Sequence, residues 1–214
     1  MIRLNKGPAP AILVQNAVAW TQAYLQYTQN GEAVPSVVAF RYRHPDIKTA
    51  LLAETHEKCA YCESKNRHVS PGEIDHIAPR SKRPDLAFRW DNLTYACDEC
   101  NHAKRDYYSQ PEPVINPYLD EPTEHLRFVG PMICQVPGNQ VGRRSVQILR
   151  LNRASLFERR RERLQELLPL LDQWSQLPQG ADKELIRQQI LEQTVEDKEY
   201  SAAVKSFLDS FGVE

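Results

Sequence analysis

Four of the five cysteines in this 214-residue chain lie in two Cys-x-x-Cys segments, with the sequences CAYC and CDEC. Each segment can place two thiolates on one tight turn, and two such turns supply the four ligands of a closed tetrahedral zinc site. The spacing therefore predicts a structural zinc ion (Zn²⁺) bound by Cys59, Cys62, Cys97 and Cys100. Such a site constrains the fold strongly, because it brings together two segments that are far apart in the chain. Cys134 is left over.

The choice between zinc and two disulfides depends on the cellular compartment. No run of the sequence approaches the ~18 apolar residues of a membrane span, and the first residues lack the apolar stretch of a secretory signal. We therefore expect a cytoplasmic chain with no membrane association. In a reducing compartment cysteines at this spacing bind metal rather than form disulfides. The 41% of hydrophobic residues is enough for a packed core.

Charge is unevenly distributed along the chain. The formal net charge of -1 argues against a protein that coats DNA by charge alone. Between Arg143 and Arg163, however, eight arginines stand against only two glutamates. This arginine-rich segment fits three uses: contact with phosphates, a solvated helix face, or contact with an acidic partner surface. The sequence leaves these alternatives open.

The predicted fold class is α+β and mostly helical, in three parts. These parts are an N-terminal helical segment at 1–56, a module with the two cysteine segments at 57–110, and a connector with a helical region at 111–214. Hydrophobic periodicity predicts helices over 11–30, 46–56, 182–193 and 198–211, one beginning near 100, and one beginning near 152 that kinks or restarts at Pro169. Extended segments are predicted over 73–77, 92–95 and 126–129, with a polar loop over 79–89.

A group of polar residues lies between and beside the cysteine segments. Asp75 and His76 are adjacent in the string EIDHIAPRS, Asn92 stands in WDNL, and Asn101 directly follows the last cysteine. Each has a structural alternative, since Asp75 could cap a turn, His76 could be a core histidine, and the asparagines could be turn or N-cap residues. Their joint order, in register with the zinc ligands, favours a functional site.

The strings CAYC, EIDHIAPRS, DNL and CDECNHAK resemble the HNH endonucleases, whose ββα-metal fold places two antiparallel strands and a helix around one divalent cation. The resemblance implies five roles: metal ligand for Asp75, general base for His76, loop support and orientation of His76 for Asn92, second metal ligand for Asn101, and a position facing the scissile phosphate for Lys104.

Several details of this site are specific to the chain. The family often has histidine where Asn101 stands, and the asparagine favours Mg²⁺ or Mn²⁺ as the catalytic cation. His102 is an alternative ligand beside Asn101, and Glu73 either supports the metal or is an exposed strand residue. Since neighbours on a strand point to opposite faces, a bend is needed if Asp75 and His76 are to act at one phosphate.

The N-terminal helix, CAYCE, EIDHI, WDNL and LNRASLFERR also resemble the HNH nuclease subunit of Septu-type anti-phage defence systems, which also occurs with some retrons. This resemblance implies a metal-dependent endonuclease that hydrolyses phosphodiester bonds, with DNA favoured. RNA such as tRNA is an alternative substrate, and a zinc-stabilised module that binds nucleic acid or assembles without cutting is an alternative function.

The same resemblance implies partners. One is an ABC-class ATPase subunit, and in retron settings a reverse transcriptase with its RNA-linked DNA is another. The chain carries no P-loop of the form GxxxxGK[ST], so any nucleotide dependence would come from such a partner.

Overall fold

The computed structural model describes residues 1–213 of the chain and confirms the mostly helical α+β class. The helices are α1 (Ala11–Gln29), α2 (Ser36–Ala39), α3 (Pro45–Glu54), α4 (Asp98–Lys104), α5 (Pro122–His125), α6 (Gln140–Ile148), α7 (Ala154–Gln165), α8 (Leu168–Gln176), α9 (Ala181–Leu191) and α10 (Ser201–Asp209). The strands are β1 (Glu73–His76), β2 (Leu93–Ala96), β3 (Leu126–Val129) and β4 (Met132–Gln135). They form two separate antiparallel pairs, β1 with β2 and β3 with β4.

Helix α1 confirms the predicted amphipathic helix to within one residue at its C-terminal end. Its inward stripe packs on the segment between β1 and β2, where Trp20 and Tyr24 meet the ring of Phe88 edge to face at 5.6 and 5.8 Å between centroids. Phe88 is fully buried, although it lies in the segment predicted as a polar loop. The N-terminal helices thus share one hydrophobic core with β1 and β2.

Strands β1 and β2 pair regularly, with Asp75 opposite Thr94 and His76 opposite Leu93. Helix α4 follows β2 almost directly and begins two residues earlier than predicted. The earlier start has a local cause, because Cys97 is the N-cap and its Sγ accepts a hydrogen bond from the backbone N–H of Cys100 at 3.4 Å. This arrangement of two strands and a helix is the one that the resemblance implied.

The proline-rich connector contains more regular structure than the sequence indicated. Strand β3 has the predicted bounds, whereas β4 and α6 were not predicted. Gly130 begins the tight turn between the two strands with a φ of +55°, a conformation that favours glycine. Asn139 then begins α6, since its Oδ1 accepts a hydrogen bond from the backbone N–H of Gly142 at 2.8 Å.

The C-terminal helices form a core of their own and are joined to the first cysteine segment. The predicted interruption at Pro169 is confirmed, because α7 ends at Gln165 and Pro169 lies in the first turn of α8. Lys58, which is buried, donates hydrogen bonds to Glu63 at 3.3 Å and to Ser201, at the start of α10, at 3.3 Å.

The third core contains the four clustered cysteines together with residues of β3, β4, α6, α7 and α10. The division of the chain at residues 56 and 110 stays a prediction. Among residues 1–213, no helix is both long and apolar enough to cross a membrane.

Gly142 in α6 allows the helix to approach the end of α5 closely. A Cβ at this position would overlap the backbone carbonyl oxygen of His125 and lie 2.9 Å from its carbonyl carbon. Because backbone atoms cannot move aside cheaply, we expect Gly142→Ala to reduce the free energy of unfolding by about 1–3 kcal/mol, measured by denaturant titration. Gly7→Ala is the control, since its Cβ would meet nothing closer than 3.5 Å. Equal stability of the two variants would contradict this packing.

Candidate metal centre and active site

The four cysteines of the two segments lie together in the protein interior. Their Sγ atoms all lie within 4.8 Å of one another, and all four residues are buried. The Sγ atoms of Cys62 and Cys97 are 3.8 Å apart. A tetrahedral zinc site with Zn–S bonds of ~2.3 Å has S–S edges of about 3.8 Å, whereas a disulfide has a bond of about 2.05 Å. The cluster therefore has the donor type, spacing and burial of a site that binds a metal ion.

Each cysteine pair is held by backbone contacts that the fold supplies. The backbone N–H of Ala60, inside the first pair, donates to the carbonyl of Tyr95 in β2 at 3.0 Å. The second pair spans the junction of β2 and α4, where Cys97 caps the helix. Cys134 lies outside the cluster, half-buried on β4. The five cysteines are all free of disulfides.

Arg153, at the start of α7, is placed against the cysteine cluster. Its guanidinium donates to Cys100 Sγ at 3.4 Å and to Cys97 Sγ at 3.7 Å, while its Nε donates to Glu99 at 2.6 Å. Four thiolates around a divalent cation carry a net charge of -2, so a cation in this position stabilises the loaded site. Helix α7, which carries the C-terminal half of the arginine-rich segment, therefore starts in contact with the cysteine cluster.

Asp75 lies on the face of β1 that packs against α4, and it is buried. Tyr61 Oη donates to its Oδ2 at 2.6 Å, and Lys104 Nζ donates to its Oδ1 at 3.1 Å. Burial, followed by the Asp75 charge, raises the pKa of Tyr61, so the tyrosine hydroxyl keeps its proton and acts as donor. Since Tyr61 lies inside the first cysteine segment and Lys104 on the helix begun by the second, the metal centre positions this carboxylate.

Lys104 occupies a different place from the one that the resemblance implied. Its side chain is only 1% exposed, and Nζ also donates to the backbone carbonyl of His76 at 2.7 Å. The ammonium group is thus turned inward toward Asp75 rather than outward toward a phosphate. The cause is electrostatic, because a buried carboxylate and a buried ammonium group each need an opposite charge nearby.

His76 points to the opposite face of β1 from Asp75, as the alternation of a strand requires. Its Nε2 lies 2.9 Å from the carbonyl oxygen of Ala87, and its ring meets the ring of Tyr42 edge to face at 4.6 Å. A carbonyl oxygen can only accept, so Nε2 carries the proton and Nδ1 keeps the lone pair. Burial lowers the pKa of His76 to about 4, and the imidazole is neutral at pH 7.

Asn92 closes the segment that carries Ala87. Its Oδ1 accepts from the backbone N–H of Ala78 at 2.8 Å, and its Nδ2 donates to the carbonyls of Ala78 at 3.0 Å and Leu86 at 3.1 Å. Leu86 directly precedes Ala87, whose carbonyl binds His76. The asparagine therefore fixes the loop in which the hydrogen-bond partner of the imidazole lies.

Asn101 lies on α4 opposite Glu73, one helical turn before Lys104, which lies opposite Asp75. Its Nδ2 donates to the carboxylate of Glu73. Glu73 and Asp75 share a face of β1 because they are two residues apart. This face of the strand and the facing side of α4 thus offer carboxylate and amide oxygens, the donors that Mg²⁺ and Mn²⁺ prefer. His102 is exposed on α4.

The sequence indicated the polar residues of this site, but it did not indicate the groups that hold these residues in place. Tyr61, Tyr42, Arg153 and the carbonyl of Ala87 were missed as parts of it. Tyr61 had one usable signal, since it lies between two of the predicted zinc ligands. Tyr42 and Arg153 had none, because only the tertiary fold brings them to the site.

The loop clamp made by Asn92 leads to a stability prediction. Asn92→Ala removes three hydrogen bonds and leaves the buried N–H and carbonyl of Ala78 without partners, so we expect a loss of about 2–4 kcal/mol in the free energy of unfolding. Denaturant titration measures it. Asn30→Ala, at the exposed end of α1, is the control and should change stability little. A loss no larger than that of the control would show that the clamp is unimportant.

Comparison with known proteins agrees with this geometry. Residues 59–106, which contain both cysteine pairs, β1, β2 and α4, match the HNH endonuclease family. The chain is similar to the Septu protein PtuB of Bacillus thuringiensis, with 33% identity over 153 residues that cover 71% of this chain and 55% of the relative. It is also similar to the Septu protein PtuB of Bacillus mycoides (strain KBAB4), with 28% identity over 56% of this chain and 51% of that relative.

The chain spans about half the length of these curated relatives. The family match covers the part of the chain in which the strands, the helix and the cysteine cluster lie together. Residues 59–106 are therefore an HNH endonuclease domain, in a chain that is similar to the Septu PtuB proteins over about 150 residues.

Proposed function

We propose that this chain is a metal-dependent endonuclease that hydrolyses phosphodiester bonds, with DNA as the favoured substrate and phage defence as its role. The observation that carries the proposal is the state of His76. Its imidazole is buried and neutral at pH 7, its Nε2 is held by the carbonyl of Ala87, and its Nδ1 keeps a lone pair. A neutral imidazole with one nitrogen anchored in this way leaves the other nitrogen free to accept a proton, as a general base must.

In the proposed reaction, Nδ1 of His76 takes a proton from a water molecule. The oxygen of that water attacks phosphorus and the bond from phosphorus to the 3′ oxygen breaks. The departing 3′ oxygen takes a proton from solvent, so the products carry a 5′ phosphate and a 3′ hydroxyl. The proton on Nδ1 is returned to solvent in a later step. Because water is the nucleophile, the reaction does not need a 2′ hydroxyl, and both DNA and RNA are chemically accessible.

Asp75 and Asn101 would hold the catalytic divalent cation, with Glu73 beside them on the same face. When bound, Mg²⁺ or Mn²⁺ supplies Lewis acidity that stabilises negative charge on the phosphate and the leaving oxygen. Lys104 and Tyr61 act indirectly, because each donates a hydrogen bond to Asp75 and so fixes the direction of its carboxylate.

We propose further that the protein acts with an ABC-class ATPase. Support comes from the similarity to Septu proteins and from the absence of a P-loop motif in this sequence. In retron-associated systems a reverse transcriptase with its RNA-linked DNA would be an additional partner. The ATPase would then set when the nuclease cuts, while the residues above carry out the cut.

The test is cleavage of double-stranded DNA, single-stranded DNA and tRNA with added Mg²⁺ or Mn²⁺, with and without the co-expressed ATPase. We expect His76→Ala to lower the cleavage rate by about 10²- to 10⁴-fold, because it removes the general base. The control is His56→Ala, which changes a histidine that pairs with Glu196 outside the site and should retain activity.

The outcomes separate the alternatives. Cleavage that depends on His76 establishes the nuclease, and the polymer that is cut identifies the substrate. Cleavage that appears only with the ATPase supports control by that partner. A folded protein that cuts none of the three polymers in any combination contradicts the proposal and favours a binding or assembly module.

We assign zinc to the four-cysteine cluster. A metal assay of the purified protein should give one zinc per chain, and Cys97→Ser should lose the zinc and melt at a lower temperature, because a structural zinc contributes folding free energy directly. Cys134→Ser, which changes a cysteine outside the cluster, should keep both. Full zinc occupancy in Cys97→Ser, or another metal in the wild-type cluster, would refute the assignment.

A further inference from the structure

A short segment before α3 places arginines and aromatic rings beside the candidate active site. Its sequence is FRYR, and the guanidinium of Arg43 lies 4.4 Å from the ring centroid of Phe40. On the same side, the guanidinium of Arg80 lies 5.1 Å from Phe40 and 5.4 Å from Tyr42, and its Nη1 donates to the carbonyl of Ala39 at 2.8 Å. These contacts hold both guanidinium groups in place.

Tyr42 joins this cluster to the catalytic histidine, since its ring packs against His76 at 4.6 Å. A second connection is a cavity of 410 Å³, whose lining includes both Arg43 and Lys48 and the site residues Glu73 and Asn101. Arg43 and Lys48 also line a neighbouring cavity of 640 Å³. A basic surface therefore leads away from the proposed metal site.

Arg43, Lys48 and Arg80 form what we call the basic rim. Within residues 1–213, none of the three has a carboxylate at ion-pair distance. Lys48 Nζ donates to the carbonyl of Gly72 at 3.0 Å and keeps further donors. The charge of the rim is thus uncompensated by neighbouring acids and partly open to solvent.

The arginine-rich segment from Arg143 to Arg163 differs from the rim, because most of its charge is used inside the chain. Arg160 is buried and donates to the carbonyls of Leu151 and Leu156. The ion pairs of the segment are Arg144 with Glu112, Arg153 with Glu99, Arg159 with both Glu162 and Glu199, Arg161 with Glu158 and Arg163 with Glu166. This weakens the interpretation of the segment as a phosphate-contacting surface.

We propose that the basic rim binds the phosphodiester backbone of the nucleic acid beside the bond that is cut. The cavity then offers carboxylate and amide oxygens that suit a divalent cation, together with basic groups that suit the phosphates next along the strand. Guanidinium groups already lie over the rings of Phe40 and Tyr42, so these rings orient the arginines rather than stack on bases. Binding at the rim is therefore independent of base sequence.

This inference rests on the proposed nuclease function, and the test reads binding rather than cutting. The protein is the full chain carrying His76→Ala, and the probes are labelled duplex DNA, single-stranded DNA and tRNA. Affinity is measured over a series of salt concentrations. Each lost phosphate contact lowers the slope of log affinity against log salt by about one, so Arg43→Gln with Lys48→Gln should lower it by about two and weaken binding.

The matched control is Arg159→Gln with Arg161→Gln, which removes the same charge from exposed residues that have intrahelical glutamate partners. Its slope should stay within a few tenths of that of the parent. Arg43→Lys should keep the slope, because it keeps the charge, and melting temperatures verify that each variant is folded. The probe whose slope falls most in the rim variant identifies the polymer that the rim binds.

Three results would overturn the inference. The first is a slope in the rim variant equal to that of the parent, and the second is an equal or larger loss in the Arg159 and Arg161 control. Failure of binding to all three probes, by a chain whose wild type cuts, would also overturn it. A chain that cuts nothing but binds through the rim would contradict the nuclease function alone, so the two failures are distinguishable.

Discussion

The meeting of two cysteine pairs in one buried cluster, to which we assign zinc, is the interaction on which the active-site geometry depends. Binding of zinc contributes about 10–16 kcal/mol in small zinc domains, whereas the net stability of a whole domain is about 5–15 kcal/mol. The cysteine cluster is therefore able to decide whether the short strands and the seven-residue helix α4 form at all. Tyr61 and Lys104, which hold Asp75 from two sides, come from the first cysteine segment and from the helix that the second one begins.

The strand β1 gives two neighbouring residues opposite environments. Asp75 faces α4, where a hydroxyl and an ammonium group donate to its oxygens. His76 faces Tyr42 and the loop closed by Asn92, where burial favours the neutral imidazole. Alternation along one strand thus separates a hydrogen-bonded carboxylate from a neutral imidazole, although the two are adjacent in sequence.

The sequence was informative where one local pattern determines one element. The stripe of α1, the extended segment Leu126–Val129 and the restart at Pro169 all lie in the structure where they were predicted. It was less informative where a tertiary contact decides. Strand β4 and α6 follow prolines that suggested an irregular connector, and Phe88 lies in an apparently polar loop because α1 covers it.

The same distinction applies to the site. The order of Asp75, His76, Asn92 and Asn101 relative to the cysteines can be read from the sequence alone. The inward turn of Lys104 and the packing of Tyr42 on His76 are not, since each depends on a partner far away in the chain.

The contact between Tyr42 and His76 also determines how much of the chain is needed to make a working site. Residues 59–106 carry the family pattern, yet the ring that supports the imidazole and the helix that covers Phe88 both precede them. A fragment trimmed to the recognisable motif would open the hydrophobic core along one whole side of the sheet. The smallest unit that preserves the chemistry therefore includes the N-terminal helices, and it is considerably larger than the motif by which the family is recognised.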